Sequence, residues 1–446
     1  MTSTSTKAPP VRLTPEQTKQ RRFLAKLGLV IGGGMFIDGF ILGGIGVVMP
    51  AITDELKLSA AWQGLIGASA LIGIFFGGPL GGYLADKVGR RPMFICTLGI
   101  FVIGSAAQFF VGDAMSLFLV RLLMGMAIGA DYAIGWPLLA EFAPARLRGK
   151  LMAVQEVAWY VGYLASYALG YALASTASVD WQIVLGLSTI PSVIVFLMRL
   201  SIPESPRWLM SKGRTREAAE LAALYMSEAE QADLKQEQVR QGSFGSLFSA
   251  KHIKSTTFVC VFWICNVTPY FAIATFAPVV LTQVGLEDGL TAALALNGIV
   301  VLGSIFTVVF IERVGRRKLA VPPFWISAIA LAAVALFAGA SPTVVILCFL
   351  TFSFFNAVST ALTAVYPGEV FPTEIRGSGV GFATAASRVG AAVGTFVLPV
   401  SMEGLGVATT MMFAAAISLV GGVVSHFLAP ETKGLDLSAA SGGASK

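Results

Sequence analysis

Apolar runs of about 20 residues recur along nearly the whole chain, and that is the length a helix needs to cross ~30 Å of hydrocarbon. Twelve such segments lie near 27–52, 61–85, 92–112, 116–140, 151–175, 181–201, 256–282, 291–312, 319–340, 343–366, 378–401 and 408–429. They are long and continuous, unlike the short alternating strands of a closed barrel. They are therefore read as helices, whose backbone groups are satisfied within each segment. Charged residues make up 13% of the chain, against roughly a quarter in soluble proteins. A secreted, cytosolic or nucleic-acid-binding chain is excluded. The expectation is an all-α polytopic membrane protein that needs the lipid bilayer and binds no nucleic acid.

The one long polar stretch, 202–255, divides the twelve helices six and six. The expected organisation is a cytoplasmic tail (1–26), a six-helix bundle (27–201), a cytoplasmic linker with short amphipathic helices (202–255), a second bundle (256–429) and a second tail (430–446). Of 31 Lys and Arg, 27 fall on the side of the N-terminus and one, Lys57, on the other, while Arg121, Arg199 and Arg388 lie inside helices. That asymmetry places both termini in the cytoplasm of a plasma membrane, the bacterial inner membrane. The net charge of +6 is thus a topology device. The apolar stretch after residue 26 is too long for a signal-peptide core, so the N-terminus is expected to be retained. Cys96, Cys260, Cys265 and Cys348 sit in apolar stretches without metal-ligand spacing and read as small core hydrophobes. His252 and His426 have no convergent nucleophiles, so no enzyme, metal or cofactor is expected.

The two halves repeat. Asp86-Lys87-Val88-Gly89-Arg90-Arg91 between helices 2 and 3 returns as Glu312-Arg313-Val314-Gly315-Arg316-Arg317 between helices 8 and 9. Likewise Glu141-x-x-Pro144-x-x-x-Arg148-Gly149 returns as Glu369-x-x-Pro372-x-x-x-Arg376-Gly377, the two spacings being 226 and 228 residues. Two unrelated motifs at nearly one spacing imply two equivalent six-helix bundles. Carboxylates at helix ends beside guanidinium clusters can pair across the cytoplasmic face in one state and part in another, which makes a bistable gate. Its expected members are Asp86, Arg90, Arg91, Glu141, Arg148, Glu204 and Arg207 in the first half. Glu312, Arg316, Arg317, Glu369 and Arg376 serve in the second.

These loops, with Arg121-x-x-x-Gly125-x-x-x-Gly129, look like signature motifs of the major facilitator superfamily. Pro203-Glu204-Ser205-Pro206-Arg207-Trp208-Leu209 and Pro430-Glu431-Thr432-Lys433-Gly434 are similar to sugar-porter marks, as is the Gly-rich run around Asp38 and Gly39. The second loop copy departs in carrying Val308 where the motif has glycine. The resemblance implies alternating access, two bundles rocking about a site at the membrane midplane.

A charge inside a membrane helix costs about 2.5–3.5 kcal/mol on insertion scales, so each one is a functional candidate. Asp38, Asp131 and Arg388 lie ~9–11 residues from the cytoplasmic ends of helices 1, 4 and 11, or about 14–16 Å at 1.5 Å per residue. A carboxylate at that depth can take a proton from one side and release it to the other. Asp38 with Arg121 resembles the helix 1–helix 4 pair of proton-coupled sugar porters. Asp131 before Tyr132 resembles the Asp-Tyr pattern of proton-coupled phosphate and organic-anion carriers. Which acid carries the proton stays open at this point.

Arg388 is always charged and matches a carboxylate with two parallel hydrogen bonds, so it favours an anion, unless it merely pairs with an acid such as Asp131 or Glu156. Where sugar porters resemble Gln-Gln-Leu-Ser-Gly-x-Asn, this chain has Cys265-Asn266-Val267-Thr268-Pro269-Tyr270-Phe271, and Ala364 stands where helix 10 would carry tryptophan. Tyr132, Trp136, Trp159, Tyr160 and Tyr163 with Tyr270 and Phe355 suit a flat ring, and Asn266 and Asn356 are further candidate contacts. The pattern resembles bacterial organic-anion and nicotinate carriers. The expectation is a monomeric secondary transporter importing a small aromatic or heteroaromatic carboxylate with protons. The alternatives are a sugar transporter, proton-coupled or facilitative, and an organic-cation or drug exporter.

Overall fold

The fold is taken from a computed structural model, which describes residues 14–143, 145–176, 179–228, 231–232, 234, 244–283, 289–337, 342–372 and 375–433. Among these residues the regular structure is helical throughout. The first six membrane helices are α1 (Pro15–Leu56), α2 (Ala60–Val88), α3 (Arg90–Ala107), α4 (Ala114–Phe142), α5 (Ala145–Thr176) and α6 (Trp181–Arg199, interrupted after Gly186). After the linker come α7 (Ile253–Thr275, continued by Ala277–Gln283), α8 (Gly289–Val314), α9 (Arg316–Phe337) and α10 (Pro342–Thr360, extended to Val370). The stretch Arg376–Leu428 holds two passes, because Gly406 turns the chain with φ 80° and ψ 165°. Residues 376–405 are α11 and 407–428 are α12.

Ten stretches among the described residues are long and apolar enough to cross a membrane. One of them is this double pass, and α5 completes the expected twelve. The tail, however, is shorter than hydropathy suggests. α1 runs for 42 residues, about 63 Å at 1.5 Å per residue, so its first turns project beyond the hydrocarbon. Thr14 and Gln17 form a reciprocal capping box and Pro15 opens the first turn. No Gly or Pro interrupts residues 16–27, so polar residues continue the membrane helix outward. There Phe23 stacks on Tyr225 of the linker helix Thr215–Tyr225, ring centroids 4.0 Å apart. Gln20 donates to the Met226 carbonyl at 2.8 Å.

The halves are built alike. In the first, α1 packs on α5, α2 on α4 and α3 on α6; in the second, α7 packs on α11, α8 on α10 and α9 on α12. Between helices in lipid, small residues permit the approach that yields packing energy. A Cβ on Gly129 of α4 would stand 2.7 Å from the Gly78 amide nitrogen of α2, which is why the glycine-spaced run after Arg121 faces that helix. Across the halves, α2 meets α11 and α5 meets α8. At the membrane face opposite the linker the halves are joined. The Tyr167 hydroxyl of α5 donates to the Ala274 carbonyl of α7 at 2.6 Å. A Cβ on Gly46 of α1 would lie 2.8 Å from the Thr275 carbonyl oxygen.

Candidate functional site

The linker face carries two copies of one charge network. Gly89 and Gly315 have φ of +123° and +95°, and a Cβ on either would stand 2.6 Å from a carboxylate oxygen of Glu204 or Glu431. Those carboxylates cap the next helices. Glu204 accepts from the Arg90 and Arg91 amides at 3.1 and 3.2 Å, and Glu431 from the Arg316 and Arg317 amides at 3.0 and 3.2 Å. The adjacent hydroxyls, Ser205 and Thr432, donate to Glu141 and Glu369. These acids in turn pair with Arg90 at 3.0 Å and with Arg316 at 3.1 Å, and Glu312 adds a second bond to Arg316 at 2.8 Å. Burial works to raise the Glu431 carboxyl, but the Lys433, Arg316 and Arg317 amides and the Arg316 charge outweigh it and hold it below the usual carboxylate range.

These described pairs each close within one half, not across the face as the sequence reading has it. Arg91 and Arg317 likewise reach carbonyls of their own halves, Leu200 and His426. Asp86 is exposed and contributes its backbone carbonyl, which accepts from the Trp208 indole at 3.0 Å. The side chains of Arg148 and Arg376 lie outside the described residues.

Inside the first half, Asp131 of α4 forms a bidentate pair with Arg199 of α6, one of its bonds 2.7 Å long. Thr97 donates to Asp131 at 3.0 Å, and the Phe94 carbonyl accepts from Arg199 at 2.8 Å with the Phe94 ring 3.6 Å from the guanidinium carbon. Gly34 of α1 lies over the pair, where a Cβ would stand 2.9 Å from an Asp131 oxygen. A buried charge is tolerable when paired and hydrogen-bonded in this way. Arg199, given no role by the sequence, stands at the last position of α6, where counting along the helix puts it nearer the linker face than Asp131, and only its long side chain brings it to the pair.

Asp38 is in the opposite condition. It is fully buried, and neither carboxylate oxygen has a hydrogen-bond partner among the described residues. The helix 1–helix 4 pair implied by the resemblance is not formed. Arg121 instead reaches the Ile41 carbonyl at 3.4 Å, and two of its nitrogens are unpartnered.

Arg388 of α11 lies between the halves, its guanidinium carbon 5.6 Å from the Tyr132 ring of α4 and 5.9 Å from the Phe271 ring of α7. It is 8% exposed and has no ion-pair partner among the described residues. Around it the rings continue: Tyr132 stacks on Trp136 at 5.7 Å, and the Trp159 indole donates to the Tyr132 hydroxyl at 3.0 Å. Trp159 stacks on Tyr163 at 5.5 Å, and Tyr160 meets Tyr270 edge-on at 5.9 Å. α4 thus turns Asp131 into its own bundle and Tyr132 toward the other.

Two candidates belong to a separate network. Asn266 donates to the Phe262 carbonyl at 2.8 Å and accepts from Ser359 at 2.5 Å, while Asn356 donates to the Asn266 carbonyl at 3.0 Å. Their amides bind α7 to α10. The Phe355 ring lies against Phe354, 5.3 Å between centroids, and none of its described ring contacts is with this cluster.

Residues 16–441 match the family described as "Sugar (and other) transporter". The chain belongs to that family. The transporter is 36% identical over 431 residues to the inner membrane metabolite transport protein YgcS of Escherichia coli, covering 97% of this chain and 96% of that one. Two relatives whose names state a substrate are more distant and differ in chemistry. They are the niacin transporter NiaP of Acinetobacter baylyi (28% identical, 92% and 94% covered) and the major myo-inositol transporter IolT of Bacillus subtilis (26%, 95% and 94%). In fold, the transporter is similar to the proton:xylose symporter XylE, of the major facilitator superfamily, with a TM-score of 0.80, 20% identity and coverage of 94% and 99%. It is a multi-pass membrane transporter of that family with the major facilitator fold, not an enzyme.

Proposed function

We propose that this transporter takes up a small organic anion, an aromatic or heteroaromatic carboxylate of nicotinate or benzoate type, together with protons, by alternating access. The observation that carries this reading is Arg388. It is a buried guanidinium between the two bundles, flanked by the rings of Tyr132 and Phe271, with no carboxylate among the described residues paired to it. Two parallel donors between flat aromatic faces match a ring that bears a carboxylate. The substrate named for NiaP is of this chemistry.

The proton falls to Asp38. Asp131 is already engaged by Arg199 and Thr97, whereas Asp38 is buried with no donor to either oxygen among the described residues and is the acid left to accept a proton. Both termini and the linker lie in the cytoplasm, so the joined face is external, and the carrier works as a monomer.

The second reading, a neutral sugar, is favoured by the family description and by the likeness to XylE. Against it, the Asn266 and Asn356 amides, which would read hydroxyls, are engaged between α7 and α10. Competition decides. Uptake of labelled nicotinate into proteoliposomes should be blocked by excess benzoate and not by xylose or glucose, and Arg388→Ala should abolish it. Saturable xylose uptake that Arg388→Ala leaves intact would sink the anion reading.

A further inference from the structure

Glu156 of α5, named so far only as an acid that could pair with Arg388, stands at the same site. It precedes Trp159 and Tyr160 by three and four residues, which puts it on their face of the helix, one turn toward the linker. That face is held against Tyr132 by the Trp159 indole bond of 3.0 Å, and the Tyr132 ring is 5.6 Å from Arg388. The groups facing Glu156 are few. α11 brings Arg388, 5.6 Å from the Tyr132 ring that α4 holds against this face, and its own helix brings Tyr160 one turn further along. α1, packed along α5, brings Asp38, itself in range of Arg388. α8, on the other flank, has no charged residue from Gly289 to Ile311. Glu156 and Arg388 thus border the same ring cluster without forming an ion pair among the described residues, which leaves the guanidinium donors available to a second carboxylate.

We propose that Glu156 is the resident counter-charge of Arg388 and takes up a proton each time a substrate carboxylate binds. The inference rests on the anion reading above. Before binding, the site holds Arg388 as a cation and Glu156 as an anion. The substrate anion and one proton enter; the anion pairs with Arg388 and the proton forms an O–H bond on Glu156. Site charge is zero before and after. With the proton on Asp38, two protons accompany each monovalent anion, so each cycle carries one net positive charge inward and responds to membrane potential.

The test uses proteoliposomes with a potassium diffusion potential set by valinomycin and no pH gradient. Labelled nicotinate uptake by the intact transporter should rise several-fold when the interior is negative. Glu156→Gln should still exchange nicotinate in counterflow but lose the voltage response, and Glu156→Asp should keep it. A Glu156→Gln carrier that remains voltage-driven overturns the proposal. A second measurement does not depend on that variant folding. In weakly buffered detergent solution, Asp38→Asn should take up about one proton per nicotinate bound, and none taken up also overturns it. If the intact transporter neither binds nor moves carboxylates, the anion reading fails and this inference with it. If it does move them and Glu156→Gln behaves as the parent, only the counter-charge is wrong.

Discussion

Asp131 and Asp38 sit at similar heights in the membrane and differ in one respect, the direction each faces around its helix. Asp131 turns toward α6 and finds Arg199; Asp38 finds no donor. Sequence gives the height of a residue in a helix, by counting along the run, but the rotation about the helix axis comes from packing. Both aspartates were therefore legible as working candidates, and Arg199 as partner was not. The Asp38–Arg121 pair that the resemblance implies is likewise a matter of rotation, and Arg121 turns to the Ile41 carbonyl instead. Removing one member of the buried pair should be severe. Asp131→Asn or Arg199→Met should lower stability by about 3–5 kcal/mol, read as thermal melting in detergent, whereas the double change to Asn and Met should recover much of the loss. If that recovered double variant no longer accumulates substrate while counterflow persists, the proton belongs to Asp131 and not to Asp38.

The elements repeat more completely than two loop motifs suggest. Glu204-Ser205 and Glu431-Thr432 occupy equivalent places, each acid capping the helix after a left-handed glycine and each hydroxyl bonded to the acid that holds an arginine. These two short motifs stood in the sequence as marks of a resemblance, and only folding shows them to be a third repeat. Because both networks close within a bundle, they brace each half as a body that can rock. Gly89→Ala and Gly315→Ala should each cost at least about 1 kcal/mol, since both a left-handed φ and a close carboxylate oppose the new Cβ. Glu431 gives the pH dependence. Its carboxyl lies below the usual range in the folded state, so its contribution is present above the unfolded value and fades as pH falls through the folded one. Melting temperature should therefore drop below about pH 4.3, and Glu431→Gln should flatten part of that drop. An unchanged acid limb in the variant would remove Glu431 from the network.

At the scale of the molecule, twelve passes and their division six and six were legible because length and hydropathy are local properties. The first turns of α1 were not, since a capping box and an unbroken polar run, rather than hydropathy, extend that helix. Nor was it legible which face is joined. The bond from Tyr167 to the Ala274 carbonyl crosses between bundles on the side opposite the linker, while the charge networks on the linker side stay within bundles. Loss of one hydrogen bond, about 0.5–1.5 kcal/mol, is enough to move a balanced two-state equilibrium several-fold. Tyr167→Phe should thus increase the share of molecules with parted outer ends. Spin-label distances between the outer ends of α2 and α11 would register it, and an unchanged distribution would deny that bond a part in closure. The proposed transport of an anion with protons depends on the space around Arg388 and Asp38. The most direct measurement is labelled nicotinate in proteoliposomes under an inward proton gradient. The account predicts accumulation above the external concentration that an uncoupler collapses, and that Asp38→Asn loses while retaining counterflow; uptake that only equilibrates, indifferent to the gradient, would contradict it.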